Sequence, residues 1–135
     1  MNIEVLPAVY SVDALVVRQR VPAEQRPMVL AAIEEAIRTL PLDPSRRQPL
    51  EGNLAGLFKC KFSSGMLPGE QDMRLAILVD EGAGTVQVWA AGFRDASLSR
   101  DFYDAVQERV VVERGLGNEA ARHIGDRDRR RRRGR

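Results

Sequence analysis

Three runs of strand-like sequence between residues 54 and 93 constrain the fold more than any other feature of the chain. Phe58-Lys59-Cys60-Lys61-Phe62 alternates strictly, the pattern of a strand with one face buried and the other in water. Met73-Arg74-Leu75-Ala76-Ile77-Leu78-Val79 is a second run. Thr85 to Phe93 is a third, with Val86, Val88 and Ala90 expected on one face and Gln87 and Trp89 on the other. Gly82-Ala83-Gly84 is a tight hairpin connection between the last two. Ser63 to Asp72, which holds two Gly and a Pro, is a longer loop between the first two. Short connections between strands imply antiparallel pairing.

The rest of the chain supplies helices. Residues 2–6 read as a short first strand. Residues 8–20 have strand propensity in Val9, Val12, Val16 and Val17. Their spacing, Val9, Val12/Asp13, Val16/Val17 and Arg20, suits a helix, and the helix is the reading taken. Pro22 and Pro27 suit a helix start. From there Val29/Leu30, Ile33, Ile37 and Leu40 recur at helical spacing, with Glu34, Glu35 and Arg38 on the other side. Pro41 and Pro44 end that helix, and residues 41–53 form a polar loop. A last helix is expected over about Arg100 to Arg114, capped by Ser97 or Ser99 and stopped by Gly115 and Gly117. The expected fold is α+β in β-α-α-β-β-β-α order: a small antiparallel sheet, helices on one face, the other face at least partly open.

Composition narrows the function. The 135 residues favour one domain, and 44% hydrophobic with 30% charged residues is an ordinary globular mix. No apolar run approaches the ~20 residues that a membrane span needs. The N-terminus lacks the basic and apolar regions of a secretory signal. A lone cysteine, Cys60, forms no internal disulfide, and its neighbours suggest a buried apolar role. One histidine, His123, excludes histidine pairs and zinc sites built from Cys and His clusters. A cytoplasmic location is expected, with no metal, no small-molecule cofactor and no membrane partner.

The net charge of +2 conceals an asymmetry. Residues 122–135 carry eight Arg and two Asp, a net +6, and residues 1–121 carry thirteen Lys+Arg and seventeen Asp+Glu, a net −4. The chain therefore divides into a single domain over 1–121 and an arginine-rich tail over 122–135, which its composition predicts to be disordered. Nucleic-acid binding by the domain itself requires a local basic patch. Only two lysines, Lys59 and Lys61, accompany nineteen arginines. They fall on the face opposite Cys60, with Arg74 on the same face of the next strand, Arg94 at the end of the third and Tyr103 in the final helix. Such cations bind phosphates together and can stabilise charge building on a phosphate during cleavage. The plain alternative is the ordinary solvated face of an antiparallel sheet and a packing tyrosine.

The ordered set Leu50-Glu51-Gly52-Asn53-Leu54, Gly56-Leu57-Phe58-Lys59-Cys60-Lys61-Phe62, Met73-Arg74-Leu75, Gly92-Phe93-Arg94 and Phe102-Tyr103 resembles the RelE/ParE toxins of type II toxin–antitoxin modules, in particular the RelE branch of ribosome-dependent mRNA interferases. The likeness spans roughly residues 24–110. It implies that Lys59 and Lys61 hold the scissile phosphate, with Lys61 as general base on the ribose 2′-OH. It implies that Arg74 orients that phosphate, Arg94 stabilises the transition state and Tyr103 stacks on a base. The products would be a cyclic phosphate and a 5′-OH, formed without a metal, since a lysine of lowered pKa can replace a histidine. A cognate antitoxin and mRNA on the ribosome are the implied partners. Met73 departs from the aromatic expected before Arg74. The 63–72 loop and the Arg94-to-Tyr103 gap are longer than usual, and the tail is an addition.

Two other readings stand beside this one: a ParE-like protein that inhibits DNA gyrase by contact, and a nucleic-acid-binding domain that works through its tail. Deleting residues 122–135 separates the last from the first. In a filter-binding and cleavage pair of assays, the truncation is expected to leave cleavage intact, whereas a tail-driven binder loses its nucleic-acid affinity.

Overall fold

A computed structural model describes residues 1–51, 54, 56–94 and 102–115. The boundary expected at 121, the tail over 122–135, the caps Ser97 and Ser99 and the stop at Gly117 lie outside these residues. The fold is α+β, and its elements follow the order that the sequence predicts with one further short strand before the meander.

Five strands form one sheet in the order β1-β5-β4-β3-β2. They are β1 (Asn2–Val5), β2 (Gln48–Pro49), β3 (Leu57–Phe62), β4 (Met73–Asp80) and β5 (Thr85–Phe93). β3, β4 and β5 are the expected meander, with Lys61 opposite Arg74 and Arg74 opposite Gly92. β1 is parallel to β5, from Asn2 beside Thr85 to Val5 beside Val88. The sheet is therefore mixed rather than wholly antiparallel. A parallel neighbour needs a crossover, and the helices after β1 carry the chain across. β2, in the segment read as a loop, pairs Gln48 and Pro49 with Lys59 and Phe58. Its shortness and its proline suit a sheet edge.

Residues 8–20 are helical, as their spacing predicts, through a π-helical turn at Val9–Asp13 that runs into α1 (Ala14–Arg20). α2 (Arg26–Thr39) starts with a proline in its first turn and buries Val29, Ile33, Ala36 and Ile37 along one stripe. Both helices pack on Cys60, Phe62, Met73, Leu75, Ile77, Val86, Val88 and Phe93.

α3 (Phe102–Arg114) corrects the expectation of helices on one face only. Its Phe102, Ala105, Val106 and Val110 join Leu57, Ala76, Trp89 and Ala90 in a separate cluster. Those sheet residues alternate with the ones under α1 and α2, so α3 lies on the opposite face. A bulge is the cause. Ala76 pairs with Ala90, but Ile77 pairs with Val88, leaving Trp89 as an extra residue in β5. An extra residue interrupts alternation, so Trp89 and Ala90 share the α3 face and Ala90 leaves the face predicted for it. The second face thus gains an apolar strip that a helix must cover. Gly92 lies under the start of α3: a β-carbon there would be in ordinary van der Waals contact with the Phe102 backbone, at 3.5 Å. Gly115, at φ +66°, ends the helix as the sequence predicts, with its N–H donating to the Val111 carbonyl.

One ion pair joins the two faces. Asp13 and Arg109 are 2% and 6% exposed. β1 stops at Val5, and its last contact with β5 is the Leu6 N–H donating to the Val88 carbonyl. Farther along that open edge, the Ala91 N–H donates to Asp13 Oδ2 at 3.0 Å. Arg109 Nη2 comes from α3 and donates to Asp13 Oδ1 at 2.6 Å.

Removing one partner of a buried pair strands the other charge, a loss of about 3–5 kcal/mol. Arg109→Met is expected to lower stability by that amount in urea unfolding at pH 7. Adding Asp13→Asn should recover a large part of it, because an amide oxygen still accepts from Ala91. The buried Cys60 thiol is pushed up to about 11 by desolvation. It is therefore expected to stay unmodified by a thiol reagent at pH 8 until the protein is unfolded.

Candidate phosphate-binding face

β3 presents its residues by turns. Cys60 and Phe62 enter the α1–α2 core. Lys59 and Lys61, between them, stand half-buried on the α3 side. Across the sheet Lys61 lies opposite Arg74 and Lys59 opposite Ala76. Lys61, Arg74 and Gly92 thus form one row over three strands, with Lys59 one step along the same face.

Arg74 is 4% exposed. Its Nη1 donates to the carbonyls of Gln71 at 2.6 Å and Met73 at 2.9 Å. Those bonds turn the guanidinium toward the beginning of β4. Arg94 follows the last residue of β5, and its N–H donates to the Asp72 carbonyl at 2.9 Å. This bond extends the β4–β5 pairing past Met73 and Phe93, so Arg94 comes to the same end of the sheet as Arg74. Tyr103 stands in the first turn of α3, next to the Phe102 that covers Gly92. Its ring meets that of Phe102 edge-on, 5.1 Å between centroids at 74°.

The five predicted residues are distributed accordingly. Lys61 and Arg74 are cross-strand neighbours, Lys59 shares their face, and Arg94 and the first turn of α3 reach the same end of the sheet. Each already takes part in a polar, ionic or ring contact. Residues 95–101, between Arg94 and α3, are outside the described residues.

Sequence reasoning missed several members of the neighbourhood. Arg46 donates from Nη2 to the Lys61 carbonyl at 2.6 Å, adding a cation beside β3. It is presented by a short 3-10 turn whose cap, Asp43, accepts from the Ser45 N–H and hydroxyl. Those bonds hold the Asp43 carboxyl below its ordinary value. Arg20 lies over the Phe93 ring, 4.7 Å from its centroid. Asp13, Arg20 and Arg109 had a signal in common: each is a charge in the apolar register of its helix.

What the arrangement can do chemically follows from its charge. Lys59, Lys61, Arg74 and Arg94 bring positive charge to one end of one sheet, and Arg46 adds to it from the β2 side. Oxygen-rich anions such as phosphates are the complementary ligands.

No protein-family model matches the sequence, and no curated protein matches it. Solved structures similar to it do exist. One is the RelBE2 toxin–antitoxin complex from Mycobacterium tuberculosis, at 23% identity and a TM-score of 0.49, covering 69% of this chain and 90% of that one. Another is a mutant of the toxin RelE from E. coli in the free state, at 18% identity and a TM-score of 0.41, covering 85% of this chain and 97% of that one. A third is the YoeB/ParE toxin from Agrobacterium tumefaciens, at 18% identity and a TM-score of 0.40, covering 70% of this chain and 100% of that one.

Proposed function

We propose that this protein is the toxin of a type II toxin–antitoxin pair and acts as an endoribonuclease on mRNA held by the ribosome. The observation that carries the reading is the pairing of Lys61 directly opposite Arg74. Two cations at directly opposite positions of a sheet offer a phosphate complementary charge from both strands. Lys59 on the same face and Arg94 at the adjacent strand end complete a cradle for one phosphodiester.

The chemistry needs a base and charge stabilisation. Lys61, as the neutral amine, takes the proton from the ribose 2′-OH, and the 2′-oxygen attacks the adjacent phosphorus. The P–O5′ bond breaks, the products are a 2′,3′-cyclic phosphate and a 5′-OH, and water supplies the proton to the departing oxygen. Arg74, Arg94 and Lys59 bear the charge that builds on the phosphoryl oxygens. Tyr103 offers a ring for base stacking at the start of α3. Cations do the work that a metal does elsewhere, so no metal or small-molecule cofactor enters the scheme. The partners in this reading are a cognate antitoxin that covers the basic face and the ribosome with its mRNA, in the cytoplasm. Among the described residues no helix is long and apolar enough to cross a membrane.

One observation favours a second reading, a ParE-like protein that inhibits gyrase by contact without catalysis. Arg74 is buried, and its Nη1 is already engaged by two backbone carbonyls.

An in-vitro translation reaction on a defined mRNA, with 5′ ends mapped, decides between them. Cuts that depend on ribosomes are expected with the wild-type protein. Lys61→Ala should slow them about 10²–10⁴-fold, the usual loss for a general base. Arg94→Ala should slow them about 10²–10³-fold, as loss of a charge-stabilising group does. Folded wild-type protein that leaves every message intact removes the endonuclease reading, and inhibition of gyrase supercoiling would then establish the second.

A further inference from the structure

Beyond the phosphate cradle, a cleft opens between the end of α1 and the 63–72 loop. We propose that it is a nucleotide subsite that takes the RNA residue next to the scissile phosphate. The inference rests on the endonuclease reading and adds Arg20 and Phe93 to its binding residues.

The cleft encloses about 630 Å³, inside the ~300–1,000 Å³ range of small-molecule pockets. Arg20 and Phe93 form one side, Met66 and Leu67 of the loop another, and Arg94 stands at the junction with the cradle. The Arg20 Cζ sits over the Phe93 ring, 4.7 Å from its centroid. Its Nη1 is enclosed, with no hydrogen-bond acceptor among the described residues. A guanidinium on an aromatic ring is a platform for a nucleobase, and its edge donates to phosphate or to a base carbonyl.

The loop wall is built rather than incidental. Ser64 is wholly buried, and its N–H and hydroxyl donate to the two carboxylate oxygens of Asp72 at 2.8 and 2.7 Å. Two acids line the cleft, Asp72 and Glu70. Asp72 is engaged by Ser64 and Glu70 is exposed, and Arg20 and Arg94 are the cations that line the cleft. Arg94 lines the cleft and stands at the same end of the sheet as the cradle, and Arg74 donates to the carbonyl of Gln71, which also lines the cleft. The proposed path of the strand turns around this sheet end, from the face that carries Lys61 and Arg74 to the opening beside Phe93. The extended loop, which the catalytic scheme does not use, acquires a role as its wall.

The test uses the full chain and an uncleavable RNA trinucleotide carrying a 2′-O-methyl group at each position, followed by NMR shifts of the Met66, Leu67 and Phe93 side chains. Wild type is expected to bind with shifts at all three. Arg20→Met keeps the apolar stem over Phe93, and is expected to weaken binding roughly ten- to a hundredfold, as loss of a charged hydrogen bond does. Arg20→Lys keeps the charge without the plane and should restore only part. In the ribosomal cleavage assay, Arg20→Met should raise KM more than it lowers kcat and alter the choice of cut site. No trinucleotide binding by wild type, or unchanged affinity in a folded Arg20→Met or Arg20→Lys protein, overturns the subsite. In that event continued cleavage by wild type leaves the endonuclease reading standing. Binding that depends on Arg20 in a protein that cuts nothing keeps the subsite and removes the endonuclease.

Discussion

Asp13 and Arg109 meet at the place where the sheet runs out of partners. β1 is too short to cover the full length of β5, so the Ala91 N–H would face an apolar interior. An unpaired buried donor costs about 1–3 kcal/mol. A carboxylate at Asp13 meets that need, but a carboxylate enclosed by the α1 core is itself unaffordable without a counter-charge. Arg109 supplies one from the other side of the sheet. The pair does not come free, since Arg109 Nε is enclosed with no acceptor among the described residues. What it confers is position. α1 and α3 lie on opposite faces, and apolar packing alone lets each slide along its own strip. A shared ion pair around the β5 edge sets the two against each other.

That placement matters at the candidate site. Fixing Arg109 fixes the phase of α3, which decides that Phe102 meets Gly92 and that Tyr103 follows in the turn beside the Lys61–Arg74 row. Fixing Asp13 sets α1, whose last residue, Arg20, then lies over Phe93. The bulge at Trp89 serves the same end. It moves two consecutive β5 residues to the α3 face, and Arg114 comes over the Trp89 ring at 5.6 Å to hold the far end of that helix.

Period-two alternation made the face assignment of Lys59 and Lys61 legible from the sequence alone, because a strand with one buried side cannot slip register without inverting it. The α2 stripe was legible for the same kind of reason, with a period of 3.6. The parallel neighbour of β5 was not. Nothing local to residues 2–6 says whether the chain returns beside them antiparallel or parallel. The face of α3 was hidden by the bulge, since one inserted residue moves Ala90 across the sheet while its own chemistry stays neutral. Val9, Asp13 and Val17 share a spacing of four, and Val106 and Arg109 a spacing of three, so the buried pair was visible as two misplaced charges. Their meeting was not, for it depends on where β1 ends. The candidate site divides likewise: Lys59, Lys61 and Arg74 follow from strand periodicity, whereas Arg94, Tyr103 and Arg20 depend on how separate elements come together.

Two charge arrangements in this small protein obey opposite logic. Asp13 and Arg109 are of opposite sign and satisfy each other, with a backbone N–H besides. Lys61 and Arg74 are of like sign and face each other across a strand pair, where a sheet gains only from opposite charges or apolar contact. The cost is reduced by the carbonyls of Gln71 and Met73, which draw the Arg74 guanidinium toward the strand end. Local departures of this kind concentrate where function opposes stability. The same bonds that reduce the repulsion also lead Arg74 toward the cleft lined by Gln71. The structural accommodation of the charge and the path proposed for a phosphodiester strand therefore run in one direction.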